Sequence, residues 1–297
     1  MTGTVATKPI RRTHGGSLLA PSVGVLLLWM IVPLAMTLWF SAERYNLLDR
    51  GKRVFVGFSN YVDLLTHRAL WIAMGNTLFL VGLVLGITLV LGTLYSLLLD
   101  LDFPGRNMCR LLVVAPFFVM PTVSALIWKN MLMNPVFGLF AWITRSLGFG
   151  TIEFFSRAPL LSIVVIVAWE WTPFAVLILL PALQSLNPEQ VEAARLDGAG
   201  RVALFRHLQL PHLLRPMAVV AMIEIIFFLS LFAEIYVTTG GGPGLDSTNL
   251  AYLIFRDALL GWDVGRASAG GVVAIVLANI VCIFLMRIVG RNLGDSK

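Results

Sequence analysis

Between two long apolar runs the chain carries Asn187-Pro188-Glu189-Gln190-Val191-Glu192-Ala193-Ala194-Arg195-Leu196-Asp197-Gly198-Ala199 and, further on, Leu208-Gln209-Leu210-Pro211. Asn187 suits an N-cap, because its side-chain oxygen can accept from an unpaired N–H of a first helical turn. Pro188 follows at the first helical position, where its missing N–H costs nothing. Gln190 stands three residues after the cap, as a capping box wants. The pattern predicts a helix over 188–197, about 15 Å long, ended by Gly198 in the left-handed conformation. A second helix is expected beyond it, with Val202, Phe205 and Leu208 on one face, limited by Pro211 and Pro216 ahead of the next apolar run. Ala193 and Ala194 keep the first helix thin enough to enter a cleft on another protein. Glu192 and Asp197 supply charge for polar anchoring, although Glu192 and Arg195 also suit an intrahelical pair worth about 0.2–0.5 kcal/mol.

The flanking runs set the environment. Of 297 residues, 58% are hydrophobic and 13% charged, whereas a soluble globular chain is about 45–50% apolar and about 25% charged. The excess is gathered in blocks long enough to cross a hydrocarbon core about 30 Å thick. Six are read, at 17–40, 72–99, 110–132, 158–181, 216–237 and 268–289. The first exceeds a signal-peptide apolar region of about 7–15 residues and shows no clear small-residue cleavage site. Between the third and fourth, 133–157 is too polar to cross, and Pro135, Gly138, Gly148 and Gly150 imply a short helix with loops. The net charge of +6 is read as cytoplasmic Lys and Arg rather than a nucleic-acid footprint. Lys8, Arg11, Arg12, Arg287, Arg291 and Lys297, with Arg106, Arg110, Arg195, Arg201, Arg206 and Arg215, would share one side. Arg44, Arg50, Lys52, Arg53 and Arg68 blur the asymmetry.

Two further landmarks frame the loop. Val56-Gly57-Phe58-Ser59-Asn60-Tyr61 follows the first run, and Thr238-Thr239-Gly240-Gly241-Gly242-Pro243-Gly244 follows the fifth, with Thr248 and Tyr252 downstream. The loop around Glu192 resembles the segment by which permease subunits of bacterial ABC importers dock on their ATPase: E-A-A, three residues, G, nine residues, then I-x-L-P. Gly198, Leu210 and Pro211 fall at matching positions, and Leu208 stands where the family prefers Ile. The other two landmarks resemble the F-V-G-x-x-N-Y and T-x-G-G-P elements of sugar-type permeases. The chain is thus similar to the maltose-type branch of carbohydrate importer permeases, within the binding-protein-dependent transport inner-membrane family.

The resemblance implies an all-α polytopic membrane protein of six transmembrane helices, with a cytoplasmic coupling-helix loop between the fourth and fifth. It divides the chain into a cytoplasmic tail 1–16, a first helix 17–40, a periplasmic segment 41–71, a five-helix core 72–290 with coupling loop 182–215, and a cytoplasmic tail 291–297. It assigns ATPase coupling to Glu192, Ala193, Ala194, Asp197, Gly198, Ala199, Leu210 and Pro211, and a family turn to Gly241, Gly242 and Pro243. The partners implied are a second permease subunit, a dimer of ATPase subunits that hold ATP and Mg, a periplasmic solute-binding protein and membrane lipid. The mechanism implied is alternating access, with a neutral sugar or polyol as cargo.

The residues themselves offer no competing chemistry. No G-x-x-x-x-G-K precedes a Ser or Thr, since the single Gly-Lys pair, Gly51-Lys52, is followed by Arg53. Cys109 and Cys282 give neither a disulfide framework nor metal-ligand spacing. No catalytic constellation is recognised, no metal site is expected, and no cofactor or nucleic acid is expected to bind. Candidates for the substrate path are Trp169, Glu170, Trp171, Asn76, Glu224 and Glu234. Glu170 falls mid-span, where an acid costs about 2.5–3.5 kcal/mol. Pro173 nearby removes a backbone donor, and indoles beside a carboxylate match a ligand with apolar faces and hydroxylated edges. The structural alternative pairs Glu170 with Lys129 or with an Arg of another subunit. Glu224 and Glu234 are placed on the fifth span as gating or structural contacts, and Asn76 opens the second span as a packing hydrogen bond. An anionic sugar stays open, because a partner subunit can supply cations. Other readings are a permease for another small solute and, in a different class, a polytopic membrane enzyme.

Overall fold

The computed structural model describes residues 15–49 and 52–294, with side chains described from 20 to 284 and at Arg287 within them. Residues 1–14 of the expected tail, with Lys8, Arg11 and Arg12, lie outside the described residues, as do Arg50, Lys297 and the side chain of Arg291.

Long apolar runs without water to satisfy their backbone must become helices. The first is α1 (Gly15–Ser41). A two-residue antiparallel pair, β1 (Glu43–Arg44) with β2 (Val54–Phe55), and α2 (Ser59–Thr66) follow. Next come α3 (Arg68–Asp100), α4 (Arg106–Val114), α5 (Pro121–Ile127), α6 (Leu139–Ser146) and α7 (Phe154–Arg157). Then come α8 (Pro159–Gln184), α9 (Pro188–Leu196), α10 (Arg201–Leu204) and α11 (Leu210–Leu229). The chain ends with α12 (Ala233–Thr238), α13 (Leu250–Phe255) and α14 (Val264–Gly294).

The core is the packing of α3 along α8, with α11 against both. Leu80, Val81 and Val84 meet Ile163, Val164, Val167 and Ala168, and Ile225 and Phe228 close the cluster. Gly92 lets α3 approach α8 at Ala175: a Cβ at residue 92 would lie 2.5 Å from that of Ala175. Small residues at crossings are how helices pack where lipid is as apolar as Leu. Helix α1 leans on α14 and otherwise exposes apolar side chains all round, Trp29 and Val25 among them, which suits acyl chains.

Among the described residues five helices are long and apolar enough to cross a membrane, and a bent pair makes a sixth crossing if it counts as one. That pair corrects the expected continuous span at 110–132. Helix α4 tightens into a 3-10 turn at Ala115–Phe118, and the chain then bends by 105° into the next helix, which runs on through a wide turn to Leu132. The cause is Pro121: Met120 before it is forced extended (φ −62°, ψ 139°).

The fifth span differs too. Instead of 216–237, one helix runs from Arg201 to Leu229, passing through a wide turn at Phe205–Gln209. The expected separate second helix of the polar loop is therefore the start of this rod. Pro211 sits at the first turn of α11, and Pro216 lies within the helix without ending it. At the far end the helix stops at Leu229, so Glu234 belongs to the separate α12. The buried Asn249 amide donates to the Leu231 carbonyl at 2.5 Å, holding the break open.

The remaining boundaries hold within a few residues. Helix α3 begins at Arg68, which puts Asn76 inside it rather than at its start. Segment 133–157 forms two short helices instead of one, and α14 continues to Gly294, into the expected tail. The segment between α1 and α3 folds back by way of Asn60, whose Nδ2 donates to Ser41 O (2.9 Å) and Glu43 O (2.8 Å), and Tyr61, whose hydroxyl donates to Ser41 Oγ (2.6 Å).

A candidate docking loop and membrane-depth path

The polar loop is built as local physics predicts. Asn187 is extended (φ −61°, ψ 120°), and its side chain accepts from Glu189 N at 3.0 Å. Helix α9 closes at Leu196, one residue earlier than expected. Gly198 is left-handed, with φ +85°. Gly198 N donates to Arg195 O (3.0 Å) and Ala199 N to Ala194 O (2.9 Å), the paired bonds of a Schellman turn. Glu192, Ala193 and Asp197 are exposed, and Ala194 and Ala199 are half-buried. Leu196 is 88% exposed and Val202 80%. Leu210 is half-buried and Pro211 exposed, one turn before the fully buried Leu213.

The six candidates for the substrate path do not converge. Successive helical residues differ by about 100°, so Trp169, Glu170 and Trp171 face three ways. Trp169 lines an apolar cavity of about 530 Å³ between α3, α4 and α8, beside Thr172, Pro173 and Tyr95. It meets Trp128 edge-on at 5.7 Å. Glu170 is buried, with Ser124 and Glu234 as its polar neighbours. Its Oε2 and Ser124 Oγ have no hydrogen-bond partner among the described residues. Lys129 does not pair with it; Nζ donates instead to Val237 O at 2.9 Å. Trp171 joins an aromatic patch, with Phe227 at 4.9 Å, Phe228 at 5.3 Å, and Phe117 and Phe174 each at 5.9 Å. Phe118 (77% exposed) and Phe227 (55%) leave this patch open.

Glu224 is wholly buried on α11. Thr88 Oγ1 of α3 donates to its Oε2 at 2.6 Å, and Oε1 has no hydrogen-bond partner among the described residues. Thr88 was not foreseen. A Thr in an apolar run bonds its own preceding turn, as this one also does to Leu85 O, so nothing in the sequence marks it as a partner.

The glycine-rich turn is a knot rather than an open loop. Gly241 has φ +79°, and a Cβ there would meet Tyr252 Cε1 at 2.5 Å and Thr248 Oγ1 at 2.6 Å. Ser247 Oγ donates to Gly242 O (2.7 Å), and Thr248 Oγ1 donates to Gly241 O (2.8 Å). Pro243 follows in the same turn, where its carbonyl accepts from Asp246 N at 3.1 Å. Asn76 Nδ2 donates to Leu245 O and Thr248 O, each at 2.9 Å, and Thr77 Oγ1 accepts from Leu250 N. Asn76 thus ties α3 to this turn.

Comparison with known proteins agrees with this architecture. Residues 82–295 match the model of the binding-protein-dependent transport system inner membrane component family. The trehalose/maltose transport system permease protein MalF of Thermococcus litoralis is 34% identical over 95% of this chain and 95% of its own length. The sn-glycerol-3-phosphate transport system permease protein UgpA of Yersinia enterocolitica is 30% identical over 93% of each chain. A chain of a bacterial alginate ABC transporter, solved with an alginate pentasaccharide-bound periplasmic protein, superposes with a TM-score of 0.80 at 22% identity, covering 93% of both chains. With five to six apolar helices, an exposed polar loop and this match over most of its length, the chain belongs to the binding-protein-dependent inner-membrane components, the multi-pass permease subunits of ABC importers, in which ATP hydrolysis resides on a separate subunit.

Proposed function

We propose that this chain is one of two permease subunits in an importer of a sugar or sugar alcohol, working by alternating access. The observation that carries the reading is the open aromatic patch of Phe117, Phe118, Trp171, Phe174 and Phe227, drawn from three elements. Sugar rings present apolar C–H faces that stack on such rings. A relative that carries trehalose and maltose supports the substrate class. Helix α9 would seat in the ATPase, which holds ATP and Mg. The bent pair would serve as the third of six spans, with both termini and the α9 loop on the cytoplasmic side and the 41–71 segment in the periplasm. A periplasmic binding protein would deliver the cargo.

The test is a reconstituted complex of this chain, its second permease, the ATPase and the binding protein in proteoliposomes. Binding protein loaded with trehalose, maltose or a polyol should stimulate ATP hydrolysis and uptake. Stimulation by glycerol phosphate alone would refute the substrate class. Ala194→Trp should lose the ATPase on purification, and its retention would refute docking by α9. Cysteines at Leu48 and Glu189 should label from opposite faces of intact membranes.

A further inference from the structure

Helix α9 is joined to the long helices by a non-helical link at each end. On one side Asp197–Gly200, with the left-handed Gly198, leads into the rod Arg201–Leu229. On the other, α8 stops at Gln184, and Ser185, Leu186 and Asn187 lead to α9. A push on α9 therefore reaches α8 and α11 through two separate links, and neither link by itself fixes one long helix against the other.

One side chain bridges that gap. His212, at the start of α11, places Nε2 2.9 Å from Ala182 O and 3.1 Å from Ser185 Oγ. Ser185 Oγ gives its own proton to Ala182 O at 2.7 Å. A carbonyl only accepts and the serine proton is already used, so Nε2 carries the hydrogen and donates to both oxygens. Ala182 O lies in the last turn of α8, at the negative end of its dipole, and already accepts from Ser185 N at 3.2 Å; Ser185 is the residue that caps this end. The other contact between the two helices here is apolar, Leu179 and Leu183 against Leu213 and Val220, and such packing has no direction of its own.

We infer that His212 is a positioning residue, a latch that fixes the register of α8 against α11 so that movement of the docking loop turns both helices together. The inference rests on the proposal that this loop receives force from the ATPase. The latch joins Ser185 to His212 across 27 positions and so closes the base of the docking loop.

The experiment compares His212→Ala and His212→Gln in the full reconstituted complex, reading substrate moved per ATP hydrolysed beside thermal inactivation. His212→Ala should keep assembly and ATP hydrolysis but lower transport per ATP by about 2- to 10-fold, the equilibrium shift of one lost hydrogen bond. His212→Gln retains a donor and should recover most of the ratio. A wild-type ratio in His212→Ala overturns the inference. So does lowered thermal stability with an unchanged ratio, which marks a merely structural bond, and so does equal loss in both variants. Ala194→Trp serves as the independent control: retention of the ATPase there refutes docking itself, whereas loss of the ATPase there with a normal ratio in His212→Ala refutes the latch alone.

Discussion

The close approach of α3 and α8 at Gly92 can be tested by moving one methyl group across the interface. In Gly92→Ala the new Cβ would lie 2.5 Å from Ala175 Cβ, where carbon contacts are normally about 3.5–4.0 Å. The helices must part by about 1 Å, and because they pack along much of their length the loss is shared by the core around Val84 and Val167. Overpacking of this kind costs about 1–3 kcal/mol. Ala175→Gly alone removes a buried methyl, about 0.8 kcal/mol. In the double variant the alanine at 92 faces only the Cα and carbonyl carbon of residue 175, both at 3.6 Å, which is ordinary contact. The double variant should therefore be more stable than the sum of the single effects by about 1–3 kcal/mol, a coupling readable in a double-mutant cycle. The measurement is thermal inactivation of the purified complex in one detergent, with expression level as a second readout. If the two losses simply add, the helices do not meet at these residues and the core packing described above is wrong.

Gly198→Val should lose ATPase coupling at a conformational cost of about 1–2 kcal/mol, since no neighbour lies within 4 Å of its Cβ position and only the left-handed backbone resists. Gly198→Asn, which tolerates that backbone, should behave nearly as wild type, and equal loss in both would refute the turn argument. Thr88→Val leaves Glu224 without its hydroxyl donor and should lower stability by about 1–3 kcal/mol, while Thr88→Ser should not; identical melting of Thr88→Val and wild type would count against the pair. Glu170→Gln should fall well short of the about 3–5 kcal/mol lost when a buried ion pair is broken, because no cation among the described residues pairs with Glu170. It should instead change uptake preference among sugars, and a loss of full ion-pair size would reveal a basic partner from another subunit.

The polar loop was legible almost residue by residue because its structure is local. Asn187, Pro188 and Gly198 each fix their own backbone or that of the next few residues, and those effects do not depend on the rest of the fold. The bend at Pro121 is equally local, but the expectation of one span over 110–132 rests on apolar length and takes no account of Pro116 or Pro121. The break after Leu229 carries neither Pro nor Gly. It exists because Asn249, eighteen positions away, takes the Leu231 carbonyl, and no window of sequence contains that contact. The site followed the same division. Trp169, Glu170 and Trp171 stand near the middle of α8, but helical geometry turns them apart, and the aromatic patch around Trp171 draws Phe117 and Phe227 from elements whose orientation only packing decides.

The rod Arg201–Leu229 bears on how loop and membrane are joined. Its 29 residues span about 43 Å at 1.5 Å each, while the hydrocarbon core needs about 30 Å. About a third of its length must therefore stand outside the hydrocarbon, and the polar residues Arg201, Arg206, His207 and Gln209 place that excess at its first turns. Val202 is exposed on this projecting end and belongs to the rod, whereas Leu196 lies on α9 across the turn at Gly198. Displacement of the rod reaches Glu224 and its bond to Thr88 on α3 without crossing a loop. A protein that grips the start of the rod thus has a continuous helical path to the α3 interface, one seated on α9 alone acts through the Gly198 turn, and the bonds of His212 to Ala182 O and Ser185 Oγ join α8 to the same end of the rod.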